Sequence, residues 1–469
     1  MKTLYKKIIV VLCLVVIVGQ AKAQNFTVIL GRPTNNSVTA SLMFDQNVQF
    51  YLEYGTTSGN YTGNTTVYNG TMNITDEVDM TGLLPDTRYY YRVRYQATGA
   101  GSYAASSEYK FHTQRAPGST FTFTVEADEH LYDKKGVQSI YRQTLDHEAQ
   151  DNPDFMLSLG DIFGDDHYPT TITPFQLDSL HEAYRPFLGQ VCHSIPFYVC
   201  LGNHEGENDY YYNQTPPNNL CIWATQSRKT YYPNPYPNSF YSGNTAVEPY
   251  GIGNPENYYA WEWGDALFIV LDPYWNKPVA PELSGDWNLT LGKEQYDWLR
   301  KTLETSKAKW KFVFSHNLIG GLDMKGTMRG GIEAAKYLEW GGYNLDGTYG
   351  FDKARPGWGK PIHQLLVDNK VTIFFHGHDH TYAKQDLDGI VYQAGPQPSA
   401  SDTDLGNRGQ LYHYDNGTVV GGTGYIRVRV SPTEVKADYV QTWTPSKEKA
   451  NPKVKNGMVA DTYSIKAVK

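Results

Sequence analysis

Apolar and polar residues alternate differently on the two sides of residue 115. Before it, short runs such as 47–54 and 89–97 are rich in Val, Tyr and Phe, and clusters of Gly, Asn and Thr separate them. Short strands with turn residues between them are typical of an all-β sandwich. This part of the chain is therefore predicted to be a small all-β domain spanning 24–115.

A turn motif inside this domain is more specific. The sequence Gly-Leu-Leu-Pro-Asp-Thr-Arg-Tyr at 82–89, leading to Val93, resembles the pattern before a late strand of fibronectin type III domains. In those domains the tyrosine forms a corner by bonding back to the backbone. The resemblance implies that Tyr89 does the same in an immunoglobulin- or fibronectin-like sandwich. The alternative is an unrelated hairpin with a proline turn.

After a linker at 115–119, strands and helices alternate. Runs of strand length occur at 121–125, 155–159, 197–201, 266–271, 312–315, 371–375, 390–393, 425–430 and 435–440, and helical patterns occur at 136–150, 174–188, 291–305 and 361–368. This alternation predicts an α/β core, and the strands near the end add antiparallel character. The expected second domain spans 118–445, and an extension follows at 446–469.

The segment 206–257 interrupts this rhythm, because it is dense in Tyr, Asn, Pro and Gly. Long irregular segments in compact domains are commonly lids or binding loops. We expect a partly ordered cover over the functional site. Surface packing of its aromatic residues is the alternative.

The N-terminus has the features of a secretory signal. Lysines precede an apolar run at 8–18, and Ala21-Lys22-Ala23 is a cleavage site. The run is too short to span a membrane. Residues 1–23 are therefore predicted to be a signal peptide of bacterial character. The mature protein is expected to be secreted or periplasmic.

Composition narrows the functional classes. The 469 residues are 40% hydrophobic and 19% charged, which is a globular composition. Without the signal, 37 basic and 49 acidic residues give a net charge of −12, so we expect no nucleic-acid partner. An oxidising compartment permits one disulfide among Cys192, Cys200 and Cys221, and the sequence does not indicate which pair forms, if any.

Metal-binding residue types follow five of the predicted strands. They are Asp128 and His130 after 121–125, Asp161 after 155–159, Asn203 and His204 after 197–201, His316 after 312–315, and His378 and His380 after 371–375. Ligands bind beyond the carboxyl ends of strands in open α/β sheets, so we expect these side chains to converge. Asp, His and Asn supply oxygen and nitrogen ligands, and the set contains no thiolate.

The number of ligands favours two metals. Each piece alone has an ordinary explanation, such as a turn, a helix cap or a surface histidine pair. Together, in order and at strand ends, the residues exceed what one metal needs, and two metals sharing one carboxylate fit the count. A metal pair about 3.5–4 Å apart is the arrangement that serves phosphoryl transfer.

The order of these residues resembles that of the calcineurin-like metallophosphoesterases. The motifs that carry the resemblance are Asp128-x-His130, Gly160-Asp161, Gly202-Asn203-His204-Glu205, His316 and Gly377-His378-x-His380. With the β domain in front, the chain looks most similar to the purple acid phosphatase branch and its bacterial relatives. The resemblance covers almost the whole mature chain, and it implies a four-layer β-sandwich flanked by helices.

The resemblance also implies a role for each residue. The first metal would be held by Asp128, His130, Asp161 and His380, and the second by Asp161, Asn203, His316 and His378. Asp161 would bridge the two ions and His204 would protonate the leaving group. The nucleophile would be metal-bound water or hydroxide.

One position departs from the purple branch. Its members have a tyrosine three residues after the bridging aspartate, where this chain has Gly164, and a glycine where it has His130. The missing tyrosinate puts iron(III) in doubt, so Fe, Mn and Zn all remain open. We expect the first site to favour divalent ions.

Other polar residues near the motifs keep two interpretations. His376 is a packed core histidine or a neighbour of the ligands, and Asp379 is expected to point away from the site. Glu205 either holds the histidine before it or caps a helix. Asp272 either orients a ligand histidine or closes a turn.

The resulting hypothesis is a secreted phosphoesterase with two metals that hydrolyses phosphate monoesters, or diesters. Its small phosphorylated substrate would contact Asn203 and His204. Arg329 and Arg355 are either phosphate ligands or solvated loop arginines. The alternatives are a catalytically idle binding protein and a hydrolase with one metal. The sequence leaves the substrate, the metals and the oligomeric state open.

Overall fold

The computed structural model describes residues 26–132, 136–163, 170–276, 287–288, 290–319, 329–401 and 406–467. The predicted signal peptide and Gly164, the position of the missing tyrosine, lie outside these ranges. None of the helices within them is long and apolar enough to cross a membrane.

The first domain consists of two antiparallel sheets. Its strands are β1 (Phe26–Gly31), β2 (Ser37–Phe44), β3 (Val48–Gly55), β4 (Gly63–Asn64), β5 (Tyr68–Gly70), β6 (Thr75–Thr81), β7 (Arg88–Ala97), β8 (Ala104–Ala105) and β9 (Tyr109–His112). β1, β2 and β6 form one sheet, and the other strands pair on β3 and β7. Alternate residues such as Leu42, Phe50 and Val93 are buried together, which confirms the all-β prediction.

Tyr89 lies at the corner that the turn motif predicted. Its hydroxyl accepts a hydrogen bond of 2.9 Å from the backbone N–H of Leu84. Its ring is buried and stacks on Phe111, with 5.7 Å between the ring centroids. The segment 82–89 therefore folds back on itself through this tyrosine.

The second domain is a sandwich of two mixed sheets with helices outside. Its strands are β10 (Phe121–Glu126), β11 (Phe155–Ser158), β12 (Phe197–Val199), β13 (Ser242–Gly243), β14 (Tyr259–Trp263), β15 (Ala266–Val270), β16 (Trp310–Phe314), β17 (Ile373–His376), β18 (Tyr382–Leu387), β19 (Ile390–Ala394), β20 (Thr418–Val420), β21 (Gly424–Val430), β22 (Glu434–Gln441) and β23 (Val459–Lys466). Its helices are α1 (Gln138–Asp151), α2 (Pro174–Leu188), α3 (Asp209–Tyr212), α4 (Leu220–Tyr231), α5 (Lys293–Thr305), α6 (Leu338–Gly341), α7 (Phe351–Ala354), α8 (Ile362–Asp368), α9 (Gly406–Leu411) and α10 (Pro445–Ala450).

The strand orders explain how the site is assembled. The first sheet has the order β12-β11-β10-β21-β22-β23, and the second has the order β13-β14-β15-β16-β17-β19-β18-β20. In the first sheet β10, β11 and β12 are parallel, and in the second β15, β16, β17 and β19 are parallel. The carboxyl ends of these strands carry the residues that the sequence singled out.

Aromatic side chains fill the space between the sheets. Phe123 of β10 meets Phe268 of β15 edge to face, with ring centroids 5.2 Å apart, and Phe314 stacks on Phe375 at 4.9 Å. Helices α1 and α2 cover the outer face of the first sheet, and α5 and α8 cover that of the second. This four-layer arrangement confirms the predicted fold class.

The segment 446–469 contributes to the first sheet. Within it, β23 pairs with β22 in antiparallel register and forms the edge of the sheet. Its residues are exposed or half-buried in alternation, and it carries few large apolar side chains. A polar edge strand of this kind gives a weak sequence signal.

Arg185 joins the two domains. Its guanidinium is fully buried and donates to the hydroxyls of Thr27 and Ser41 at 3.0 and 3.1 Å, to the carbonyl of Ser41 at 3.0 Å, and to the carbonyl of Tyr231. A backbone hydrogen bond of 2.9 Å, donated by the N–H of Leu30 to the second domain, adds to this contact.

The three described cysteines, also in the second domain, are buried and form no disulfide among themselves.

The segment 206–257 is more ordered than the sequence predicts. It contains α3 and α4, and the side chain of Asn219 caps α4 by accepting from the N–H of Ile222 at 3.1 Å. The carbonyl of Thr230 accepts from the hydroxyl of Thr75 in the first domain at 2.7 Å. α4 is therefore packed structure that contacts both domains.

Candidate metal centre

The predicted ligands converge where the parallel strands end. Asp128 and His130 follow β10, Asp161 follows β11, Asn203 and His204 follow β12, His316 follows β16, and His378 and His380 follow β17. Nitrogen and carboxylate oxygen atoms of seven of these residues, all except Asn203, form three groups, each with its atoms within 4.8 Å of one another. The groups are Asp128, His130 and His380; His130, Asp161 and His204; and Asp161, His316 and His378.

Asp161 lies at the centre of these groups. Its Oδ2 is 3.0 Å from Nε2 of His316, 3.7 Å from Nε2 of His130 and 3.9 Å from Nε2 of His204. Its other oxygen, Oδ1, accepts the backbone N–H of His204 at 2.8 Å. One carboxylate therefore faces histidines from both sheets of the sandwich.

Asp128 connects the ligands of β10 and β17. Its Oδ1 is 3.6 Å from Nε2 of His380 and 3.9 Å from Nε2 of His316. The same oxygen accepts the backbone N–H of His378 at 3.1 Å. The rings of His130 and His380 stack with centroids 4.7 Å apart, so the histidines of the first group lie side by side.

The backbone at the site is strained. Five of these residues have left-handed φ angles, namely Asp128 (61°), His130 (44°), Asp161 (60°), His378 (69°) and His380 (53°). This conformation costs a residue with a side chain about 1–2 kcal/mol. Such strain persists only where the surroundings enforce it, and it concentrates at functional sites. In the turns after three strands, the placement of the side chains therefore outweighs the strain in the backbone.

Glycine is required beside Asp161 for a steric reason. A Cβ on Gly202 would lie 2.2 Å from Oδ1 of Asp161. The turn after β12 thus lies so close to the carboxylate that only glycine, which has no Cβ, fits at this position.

Hydrogen bonds orient two of the histidines. Nδ1 of His316 lies 2.9 Å from the carbonyl of Leu159, and Nδ1 of His380 lies 2.9 Å from Oε1 of Gln397. Both partners accept, so Nδ1 of each histidine carries a proton, and Nε2 is the nitrogen that faces the site. The sequence analysis did not identify Gln397, because it lies in an irregular stretch after β19. It is not one of the metal-binding residue types that directly follow a strand.

The donor set fits metal ions. Oδ2 of Asp128 and Oδ1 of Asn203 are buried and accept no hydrogen bond from the residues that the structure describes. A buried oxygen without a partner is costly unless something else supplies positive charge or a donor. Carboxylate, amide and imidazole groups are the ligands of divalent ions such as Zn, Mn and Fe.

Charges in the site compensate one another. Burial raises the pKa of Asp128 to about 7. Burial would also raise the pKa of Asp161, but the positive charges of His316 and His204 hold it well below its usual range. Burial opposes the charged form of His316, and Asp161 and Asp128 overcome this and raise its pKa to about 9. The site is therefore built around paired charges and not around isolated ones.

Neighbouring residues brace the turns that carry the ligands. The carboxylate of Glu205 accepts the N–H groups of Gly202, Asp161 and Ile162, so it ties the turn after β12 to that after β11. Glu205 therefore caps backbone N–H groups, as one of its two interpretations expected, and it does so in two turns. Asp272 accepts the N–H groups of Tyr274 and Trp275, as the turn interpretation expected.

His376 is a packed core residue, and Asp379 supports the turn in which it lies. The ring of His376 is buried and stacks on Phe374 at 5.8 Å, and burial lowers its pKa to about 3. The carboxylate of Asp379 accepts from Arg329, Gly330 and Tyr414 instead of facing the ligand histidines. Neither residue supplies an atom to the three ligand groups.

The two arginines have different surroundings. Arg329 donates to the carbonyl of His378 at 2.5 Å, so it lies at the rim of the site. Arg355 donates to the carboxylate of Glu339 and the carbonyl of Trp287, and its guanidinium lies over the ring of Trp358. The structure thus brings Arg329 to the candidate metal centre and places Arg355 in a separate cluster.

Three glutamates form a buried group behind β10. Glu126, Glu129 and Glu148 are fully buried, and they accept hydrogen bonds from Tyr141, Ser158 and Thr124 respectively. Burial raises the pKa of Glu129 to about 8 and that of Glu148 to about 7. The group therefore favours bound protons near neutral pH.

Comparison with known proteins agrees with this architecture. Two curated relatives from Arabidopsis thaliana are similar in sequence: purple acid phosphatase 23, 25% identical over 370 residues (71% of this chain, 65% of the relative), and purple acid phosphatase 15, 26% identical over 249 residues (50% and 39%). The matched region thus spans less than two thirds of either relative.

Two solved structures share the fold over most of the chain. PhoD has a TM-score of 0.66 with 17% identity, covering 94% of this chain and 90% of its own. The purple acid phosphatase PPD1 of yellow lupin seeds has a TM-score of 0.59 with 15% identity, covering 94% and 74%. Residues 121–382, more than half of the chain, match the sequence profile of the calcineurin-like phosphoesterases. The chain belongs to the calcineurin-like phosphoesterase family.

Proposed function

We propose that this protein is a secreted phosphatase that hydrolyses phosphate monoesters, or diesters, with two metal ions. The observation that carries the proposal is the position of Asp161, whose carboxylate faces histidines of both sheets. A carboxylate shared in this way suits a pair of ions better than one. Membership of the phosphoesterase family supports the reaction class.

The proposed ligands divide into two sets that share Asp161. Asp128, His130 and His380 complete the first, and Asn203, His316 and His378 complete the second. When bound, the ions would supply Lewis acidity toward the phosphoryl oxygens and a nucleophile from water. The set has nitrogen and oxygen donors only, which suits divalent Zn, Mn or Fe.

The residues of the chain would position these donors before a metal arrives. The carbonyl of Leu159 and the amide of Gln397 fix the protons of His316 and His380 on Nδ1. Glu205 ties the turn of Asp161 to its own turn, by accepting two N–H groups from the first and one from the second. The geometry is therefore held by hydrogen bonds that do not depend on the ions.

His204 is proposed as the acid that protonates the leaving group. Its backbone N–H is fixed on Asp161, and its side chain is 14% exposed, whereas the side chains of His130, His316 and His380 are at most 3% exposed. A ring that reaches solvent at the rim can meet a substrate oxygen. Imidazole is suited to such proton transfer near neutral pH.

The substrate is proposed to be a small phosphorylated molecule. Asn203 and His204 would contact its phosphoryl oxygens, and Arg329, at the rim of the site, is the candidate for a further phosphate contact. Arg355 is not included in this contact, because its guanidinium donates to Glu339 and to the Trp287 carbonyl.

Turnover of p-nitrophenyl phosphate tests the proposal. The apoprotein, prepared with a chelator, is assayed before and after addition of Mn²⁺ or Zn²⁺, and a panel of monoesters, diesters and nucleotides follows. We expect activity to disappear with the metals and to return on reloading. Absence of metal-dependent turnover across the panel would favour a binding protein without catalytic activity.

A further inference from the structure

The turn after β17 carries two proposed ligands, and residues that are not themselves proposed ligands hold it from one side. In this turn His378 and His380 both have left-handed backbones, and Asp379 lies between them. Two residues so close together in an unfavourable conformation need an external support. The support in this structure comes from distant parts of the chain.

Asp379 is the anchor of this support. Its side chain is buried, and its Oδ2 accepts the hydroxyl of Tyr414 at 2.7 Å and the backbone N–H of Gly330 at 2.9 Å. Its Oδ1 accepts Nη1 of Arg329 at 3.1 Å. Three donors from two distant segments therefore hold one carboxylate.

Arg329 closes the support onto a ligand residue. The same Nη1 that pairs with Asp379 also donates to the backbone carbonyl of His378 at 2.5 Å. The guanidinium lies over the ring of Tyr412, with 4.6 Å from Cζ to the ring centroid. The arginine is thus held by its ion pair with Asp379 and by the ring of Tyr412. Its Nη1 faces the backbone of the turn.

We infer that Arg329, Asp379 and Tyr414 act together as a clamp that keeps His378 and His380 in metal-binding geometry. They are positioning residues: the clamp binds the backbone of one ligand and the side chain between the two. The inference rests on the proposed function, since it takes His378 and His380 as ligands. It changes the role of Arg329 from phosphate contact to support of the metal centre.

Metal affinity is the measurement that separates these roles. Purified full-length protein is titrated with Mn²⁺ in chelator buffers, and bound metal is counted by mass spectrometry for wild type, Asp379→Asn, Arg329→Gln and Tyr414→Phe. We expect Asp379→Asn and Arg329→Gln to weaken binding of at least one ion by about 10–100-fold, as for other partners of metal ligands. Tyr414→Phe, which removes one hydrogen bond, should weaken it less.

Asp272→Asn is the matched control. Asp272 is also a buried carboxylate that accepts three hydrogen bonds, from Tyr274, Trp275 and Asn257. Its replacement should lower the melting temperature without changing metal affinity. Arg329→Lys, which keeps the charge and one donor, should recover part of the affinity that Arg329→Gln loses.

Two outcomes would overturn the clamp. One is wild-type metal affinity in all three clamp variants. The other is an increase in KM for p-nitrophenyl phosphate with unchanged metal affinity in Arg329→Gln, which would make Arg329 a substrate residue. If Asp379→Asn does not fold, Tyr414→Phe decides the question. Failure of the wild-type protein to bind any of Mn²⁺, Zn²⁺ and Fe²⁺ would instead overturn the proposed function itself.

Discussion

Oδ2 of Asp161 lies 3.0 Å from Nε2 of His316, and this contact joins the two sheets of the sandwich at their carboxyl edge. Asp161 follows β11 of the first sheet, and His316 follows β16 of the second. Neither sheet alone supplies either of the proposed ligand sets in full. The aromatic core between the sheets therefore sets the distance between the halves of the site.

His204→Ala tests the proposed acid. We expect both metals to stay bound and kcat to fall by about 10²–10⁴-fold for an alkyl phosphate, because the leaving alkoxide needs a proton. The loss should be smaller for p-nitrophenyl phosphate, whose leaving group departs without help. Steady-state kinetics with the two substrates measure the difference.

His363→Ala is the control for this variant, since His363 bonds Tyr392 and Asp388 outside the site. It should leave both rates unchanged. An equal loss for the two substrates in His204→Ala would contradict the acid role and indicate a role in binding.

Arg185→Met tests the contact between the domains. The change removes the guanidinium that donates to Thr27, Ser41 and the Tyr231 carbonyl, which then keeps only the long contact of 3.5 Å from the Ser41 hydroxyl. We expect the free energy of unfolding to fall by about 3 kcal/mol, because each unsatisfied buried acceptor is costly. Urea unfolding measures it, and Arg300→Met on the exposed face of α5 serves as the control. Equal stability of the two variants would show that the contact contributes little.

Glu148→Gln tests the buried acidic group. Burial raises the pKa of Glu148 from 4.5 to about 7, so the folded state binds its proton more tightly than the unfolded state does. The stabilisation is complete below about pH 4.5 and is lost as the pH rises through 7. The free energy of unfolding should therefore fall between pH 5 and 8, by on the order of 3 kcal/mol from this group.

Urea unfolding at several pH values checks this dependence. In Glu148→Gln the amide carries no proton to lose, so the slope between pH 5 and 8 should be shallower. Glu304→Gln, at an exposed position of α5, should keep the wild-type slope. A slope in Glu148→Gln equal to that of wild type would contradict the prediction.

The sequence predicted the central strands and the ligands for the same reason. Buried parallel strands such as β12 and β17 consist almost entirely of apolar residues, and the residues that follow them are of types that bind metals. α2 spans Pro174–Leu188, the range that the sequence predicted, because Thr173 and Gln176 form a capping box at its start. Where local pattern and tertiary role agree, sequence reasoning is reliable.

The elements that were missed depend on distant partners. β23 is a polar edge strand that exists through its pairing with β22. α4 was hidden in a segment dense in turn-forming residues, although the cap at Asn219 was a usable signal. The bond from Gln397 to His380 and the clamp on Asp379 join residues that no local pattern relates. Such contacts follow from the packing of the sheets.

Metal content of the wild-type protein and of Asp161→Asn tests the central claim most directly. Asp161 is proposed to share its carboxylate between both ions, so the amide variant should lose the charge that holds them together. Elemental analysis of the loaded proteins should give two metals per wild-type chain, and at least one fewer in Asp161→Asn, with activity almost abolished. One metal per fully active wild-type chain, or full metal content with normal kcat in Asp161→Asn, would contradict the account.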